Sequence, residues 1–283
     1  MARSKDKLTL LTLNTHSWQE ADNVSCLRHV AEALREEQPD VAALQEVNQK
    51  EGGASASGSR LKESGFVSAG DAIAGDNWAL RLSELAPGYQ WSWAFVHIGY
   101  RTWAEGVAIL SRLPILEVRS RDLSAEGVSL RRKALAIRNR QGWFVSAHLG
   151  WWDDPQDPFP GQWERLSAFA RSLGGPCWLL GDFNSPAHVH GQGYDLMLAD
   201  GWQDCYARAE VRDAGVTVPG QIDGWRQAEV NGFRLDYCLA GQPGRTLRSR
   251  VVFNGDFRPV VSDHFGVLTE EEAPTADRQE RTD

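Results

Sequence analysis

Apolar and polar residues alternate in short runs along most of the chain, and few stretches carry the 3.6-residue spacing of a helix. Residues 8–13 interleave leucines with threonines and predict a strand that ends at Asn14. Residues 22–37 set Val24, Leu27, Val30, Ala31 and Leu34 at helical spacing and stop before Pro39. Residues 41–44 predict a short strand ending at Gln45-Glu46, and residues 50–60, containing EGGASASGSR, read as a flexible loop. A helix is expected over 77–85, broken by Pro87-Gly88. Strand-like runs follow at 91–97, 106–111, 134–138 and 143–148, then a helix over 162–173. A buried strand over 177–180 ends in Gly181-Asp182, and further strands are expected at 234–240, 250–254 and 264–268. Residues 270–283 are charged and poor in apolar side chains, which predicts a disordered tail. With no internal repeat and no linker, residues 1–269 read as one domain. Strands flank the few helices, as expected of two packed sheets with helices outside.

Composition narrows the partners. The 283 residues carry a net charge of −8, which argues against a protein that wraps long anionic polymers. Only Lys5, Lys7, Lys50, Lys62 and Lys133 are lysines, so arginine supplies most of the positive charge. Cys26, Cys177, Cys205 and Cys238 show no zinc spacing and lie in or near apolar segments, as expected of free thiols in a reducing compartment. The apolar run after Met1–Lys7 is too short for a signal-peptide core, and no stretch reaches the roughly 20 residues of a membrane span. A cytoplasmic protein away from membranes is expected. Tryptophan is unusual: twelve residues, about three times the typical share.

Chemistry-bearing side chains recur where apolar strands end: Asn14, Glu46, His148, Asp182, Asn184, Asp236, Asp263 and His264. Strand ends are rigid platforms for presenting groups to a shared cleft. Singly, each has an ordinary reading as a turn or cap residue. Their flanks set them apart: LTLNTHSW (11–18), LQEV (44–47), EGVAILSR (105–112), SAHLGWW (146–152), GDFN (181–184), RLDY (234–237) and SDHFGV (262–267). In this order the motifs resemble the endonuclease/exonuclease/phosphatase superfamily. The resemblance implies a four-layer α/β/β/α sandwich of two packed mixed sheets and a metal-dependent hydrolase of phosphate esters.

The residue types suit the roles that the resemblance implies. A phosphate ester is anionic with a poor leaving group, so its hydrolysis calls for a cation, an activated water and donors for transition-state charge. Glu46 offers a hard oxygen for Mg²⁺ (or Mn²⁺), with Asn14 and Asp263 beside it. Asp182 is expected to orient or deprotonate the water. Asn184, on the same side if the segment is extended, would donate to a phosphate oxygen. Asp236 would hold His264 as an imidazolium. His148 matches a second catalytic histidine, and Glu105 the carboxylate that orients it. Arg132 is the better phosphate clamp within Arg131-Arg132-Lys133, although a solvated charged edge is equally open. His16 and His97 are expected to be structural; His188 and His190 flank GDFN at an i, i+2 spacing that imitates a metal pair, but zinc is not expected beside an otherwise oxygen-rich ligand set.

The segments between motifs resemble the bacterial maltose 6'-phosphate phosphatase branch of the superfamily. That implies a small phosphorylated sugar as substrate, with Trp18, Trp103, Trp151, Trp152 and Trp225 as candidate sugar platforms. A DNA or RNA nuclease, or another phosphodiesterase of this fold, is the alternative. It predicts a basic groove, and the sequence offers no basic cluster beyond 131–133.

Overall fold

The computed structural model describes residues 7–222, 225 and 232–273. In chain order the elements are β1 (Lys7–Asn14), α1 (Asn23–Glu37), β2 (Val41–Lys50), α2 (Gly58–Glu63), α3 (Trp78–Leu85), β3 (Gln90–Gly99), β4 (Trp103–Ser111), β5 (Glu117–Asp122), β6 (Lys133–Asn139) and β7 (Gly142–His148). They continue with α4 (Phe159–Leu173), β8 (Cys177–Asp182), α5 (Gly193–Ala199), β9 (Gln203–Asp204), α6 (Cys205–Arg208), β10 (Val211–Arg212), β11 (Asp236–Ala240), β12 (Thr246–Val252) and β13 (Gly266–Glu272). A seven-stranded sheet has the order β10-β12-β13-β1-β2-β4-β3, and a six-stranded sheet the order β5-β6-β7-β8-β11-β9.

Strand alternation divides the core into three layers. Leu8, Leu10, Val41 and Ala43 meet Phe144, Trp178, Leu180, Cys238 and Ala240 between the sheets. Leu11, Leu13 and Leu44 face outward to Leu27, Val30 and Leu34 of α1 and to Trp78 and Leu82 of α3. Val145, Leu179 and Leu239 face outward to Trp163 and Leu166 of α4. This is the expected α/β/β/α arrangement. Among the described residues no helix is long and apolar enough to cross a membrane.

Local chemistry sets the boundaries. Asp22 caps α1 by accepting from the Ser25 amide, and Gln38 ends it in the left-handed region, with Pro39 next. Val24, expected on the apolar face, is 51% exposed, so the buried stripe begins at Leu27. The Gly/Ser stretch expected to be a loop holds α2, capped by Ser57. Glu270 to Glu272, expected to belong to a disordered tail, instead complete β13, paired with β1. Residues 274–283 lie outside the described residues.

Direction of travel places the site. β1 runs parallel to β2, and β7 parallel to β8, so Asn14, His148 and Asp182 finish their strands at one end of the sandwich. β11 runs antiparallel to β8 and β13 antiparallel to β1, so Asp236 opens its strand, and His264 precedes its own, at that same end. Alternation turns the side chains of Asn14, His148, Asp182 and Asp236 toward the seam between the sheets. Below them Thr12 donates to Gln45 Oε1 (3.3 Å), Gln45 Nε2 donates to Ser146 Oγ (3.0 Å), and Ser146 donates to the Leu44 carbonyl (3.1 Å). These bonds tie one sheet to the other.

Gly181 belongs to this packing. A Cβ there would lie 1.8 Å from the Ala147 carbonyl oxygen of the adjacent strand. Gly181→Ala is expected to cost about 3 kcal/mol or prevent folding, because backbone must move. Urea denaturation of the variant checks this; an unchanged midpoint contradicts the close packing of β7 on β8.

Candidate active site

Glu46 does not end a strand. β2 continues to Lys50, and its register against β4 shifts between Leu44 and Val47. Glu46 occupies that bulge with φ 51°, a strained value for a side-chain-bearing residue, which re-aims the carboxylate toward the seam. Asn14 Nδ2 donates to Glu46 Oε1 (2.9 Å) and lies 3.2 Å from Asp182 Oδ2, joining groups from the two sheets.

Asp182 is at the centre. Its Oδ2 lies 3.5 Å from His148 Nε2 and 3.6 Å from His264 Nε2, and its Oδ1 accepts from the Asn184 amide (2.9 Å). Phe183 points the other way, into the core under α4. Asn184 reaches the site from the left-handed region (φ 45°), not from the extended segment expected. Its orientation is fixed: the Trp225 indole, a donor only, gives to Oδ1 (2.8 Å), and the Leu149 carbonyl, an acceptor only, takes from Nδ2 (3.0 Å). The same Nδ2 lies 3.2 Å from His148 Nε2. His264 Nδ1 meets Asp236 Oδ2 at 2.9 Å.

Burial and charge set the protonation states. Burial disfavours the His264 imidazolium, but Asp236 and Asp182 outweigh it and raise its pKa to about 10. Burial pushes the Asp182 carboxyl up to about 7; His264 opposes this and Asp236 adds to it. Burial, then Arg132 and His264, keep His148 neutral, well below the ordinary histidine value. A neutral ring keeps one N–H, and the fixed Asn184 Nδ2, a donor, calls for the tautomer with Nε2 as acceptor.

Glu105 and His148 line a common void, yet the partner of Glu105 is His97, whose Nε2 is 3.6 Å from Oε1. The structure thus assigns Glu105 a different neighbour from the one expected. Burial and then Arg132 hold His97 down at about 4, while burial and then Glu46 push Glu105 up to about 8. Near neutral pH this contact joins two neutral groups.

These side chains line a cavity of about 680 Å³, with Glu46, Glu105, Asp182 and Asp263 against Arg132 as its one arginine or lysine among the described residues. Of the five candidate platform tryptophans, Trp151 lines it. Trp18 donates to the Asp76 carbonyl and packs on the α1/α3 core, and Trp152 packs beside Phe159 in the opposite core. Trp103 starts β4 away from the lining, and Trp225 packs on Phe233 while holding Asn184. Seven others, Trp78, Trp91, Trp93, Trp143, Trp163, Trp178 and Trp202, are buried. His188 and His190 are exposed, whereas His16 and His97 line the cavity.

The donor set fits a hard divalent cation. Glu46, Asp182 and Asp263 offer oxygens on the cavity side, Asn14 stands next to Glu46 with its Oδ1 on the His16 amide (3.3 Å), and buried Asp236 Oδ1 has no hydrogen-bond partner among the described residues. Donor atoms of Asp182, Asp236 and His264 lie within 4.8 Å of one another, as do those of His16, Glu20 and Asp263 at the rim. Burial is the main cause that raises the Asp182 and Glu105 carboxyls, with Asp236 and Glu46 adding to it.

A family model for the Endonuclease/Exonuclease/phosphatase family matches residues 11–264. The chain belongs to this family. Its members are hydrolases that generally depend on a divalent metal. Among solved structures, the chain is similar to an endonuclease/exonuclease/phosphatase family protein from Leptotrichia buccalis, with a TM-score of 0.80, 27% identity, and coverage of 94% of this chain and 99% of that one. A mannosyl-6-phosphatase from Bacteroides thetaiotaomicron shares the fold at TM-score 0.65 and 18% identity, over 93% and 99% of the two chains. TDP2 from Caenorhabditis elegans does so at TM-score 0.64 and 14% identity, over 94% and 74%. No curated protein matches the chain.

Proposed function

We propose that this family member is a cytoplasmic phosphomonoesterase that uses Mg²⁺ or Mn²⁺ to release phosphate from a phosphorylated sugar, with maltose 6'-phosphate the first candidate. The observation that carries the reading is the cavity itself. Its volume suits a disaccharide-sized ligand, an indole lines it, and among the described residues its lining holds one arginine and no lysine, not the row of basic side chains that a nucleic-acid backbone requires. The mannosyl-6-phosphatase is a precedent for sugar phosphates on this fold.

Glu46, Asn14 and Asp263 would hold the cation, which supplies Lewis-acid polarisation of the phosphoryl group. Asp182 accepts the proton of the attacking water, a task for which a pKa near 7 is suited. His264, kept protonated by Asp236, faces the phosphoryl oxygens as their charge builds. Asn184, held in place by Trp225 and the Leu149 carbonyl, offers a phosphoryl oxygen the Nδ2 hydrogen that otherwise faces His148. Trp151 offers the sugar an aromatic wall.

The test is phosphate release from maltose 6'-phosphate, trehalose 6-phosphate and glucose 6-phosphate, beside nicked DNA and a phosphodiester dye. Turnover of a phosphorylated sugar is expected, abolished by EDTA and restored by Mg²⁺ or Mn²⁺. Rapid DNA nicking without sugar-phosphate turnover, or activity indifferent to EDTA, overturns the proposal.

A further inference from the structure

Arg132 is 4% exposed, yet among the described residues its guanidinium makes neither a hydrogen bond nor a contact ion pair. Buried arginines ordinarily spend their five donors on protein partners; the Arg132 nitrogens instead keep access to the cavity. Here the backbone is held while the head group is left unspent. The Arg132 amide donates to Ser124 Oγ (2.5 Å), the Arg132 carbonyl accepts from the Leu123 amide (2.9 Å), and the guanidinium lies 5.8 Å from the centre of the Trp151 ring.

Its surroundings define what it faces. Arg132 lines the main cavity together with Asp182, His148 and His264. It also lines an adjoining void of about 10 Å³, which Lys133, Glu46, Glu105, His97 and His148 line too, against a wall of Val96, Gly106 and Val107. A space of that size admits about one water-sized group. It takes an oxygen and leaves no room for a carbon-bearing arm.

We propose that Arg132 and this blind recess select terminal phosphate monoesters against diesters. A monoester carries three non-bridging oxygens and places one of them in the recess, on the guanidinium fork. A diester has an ester arm where that oxygen would be, and the strand wall of β3 and β4 rejects it. The inference rests on the phosphomonoesterase reading above and adds how the site distinguishes its substrate class. Arg132 acts as a specificity-determining residue: it binds the oxygen that does not react.

Arg132→Met and Arg132→Lys test this in the Mg²⁺-loaded enzyme, with p-nitrophenyl phosphate, bis-p-nitrophenyl phosphate and the sugar phosphate turned over by the wild type. For Arg132→Met, kcat/KM on both monoesters is expected to fall about 100-fold, the scale of a lost charge-assisted bidentate contact, while the diester rate changes less than about threefold. Arg132→Lys restores part of the preference as a point charge without the planar fork. It reads the same ratio should the methionine variant fail to fold. Equal losses on monoester and diester overturn the selection role while leaving the phosphomonoesterase reading intact. A wild type that cleaves the diester and no monoester overturns that reading, and the inference with it.

Discussion

Asp182→Asn and Asp182→Ala are each expected to lower kcat by about three orders of magnitude or more, with little change in the overall fold. In the proposed mechanism the carboxylate takes a proton from water, and an amide of the same shape cannot do so. Stability gives a second readout. The folded pKa of about 7 lies above the ordinary 3.8, so the native state binds this proton more tightly than the unfolded chain does. The stabilisation is complete below about pH 4 and is lost as pH rises through 7. Urea titrations in EDTA should show that decline in the wild type and a shallower one in Asp182→Asn. An alanine variant with wild-type turnover removes Asp182 from the mechanism.

His264→Ala is expected to lower kcat by about 10³-fold, as for the loss of a preorganised donor to transition-state charge. In the proposed mechanism its protonation sets where activity ends at high pH. With a folded pKa of about 10 against 6.5 for a free histidine, the imidazolium persists across the neutral range. Its contribution to stability is whole below pH 6.5 and disappears as pH rises through 10. The alkaline limb of the kcat/KM profile therefore belongs near pH 10. Asp236→Asn removes the charge 2.9 Å from Nδ1 and should bring that limb toward neutrality. An alkaline limb that stays in place in Asp236→Asn contradicts the pairing as the source of the raised pKa.

Much of this site was legible because it is written at strand boundaries. Apolar alternation located β1, β7, β8 and β11, and Asn14, His148, Asp182 and Asp236 lie at their termini. Parallel and antiparallel pairing then brought those termini together, which no local pattern reveals. What escaped has local causes. The Glu46 bulge arises from pairing with β4 and left no mark in the residues that read as a strand end. The Glu105–His97 pairing depends on the register between β3 and β4. Trp18 and Trp152 sit beside polar sequence but turn into the two outer cores, a choice made by how α1, α3 and α4 pack on the sheets. Trp225 was legible as an aromatic, whereas its part in orienting Asn184 depends on a contact across 41 residues. Gln45 sat unnoticed within LQEV as a neighbour of the candidate ligand, although it is the side chain that reaches Ser146.

The Thr12–Gln45–Ser146 link therefore works as a spacer bar. Glu46 and Asn14 ride on one half of the sandwich, and Asp182, His148 and Asp236 on the other. Sliding one half past the other by a single side-chain diameter would dissolve the reaction centre without unfolding either layer. Turnover in this enzyme is thus a gauge of inter-layer alignment, and warming should silence it before circular dichroism registers any loss of strand.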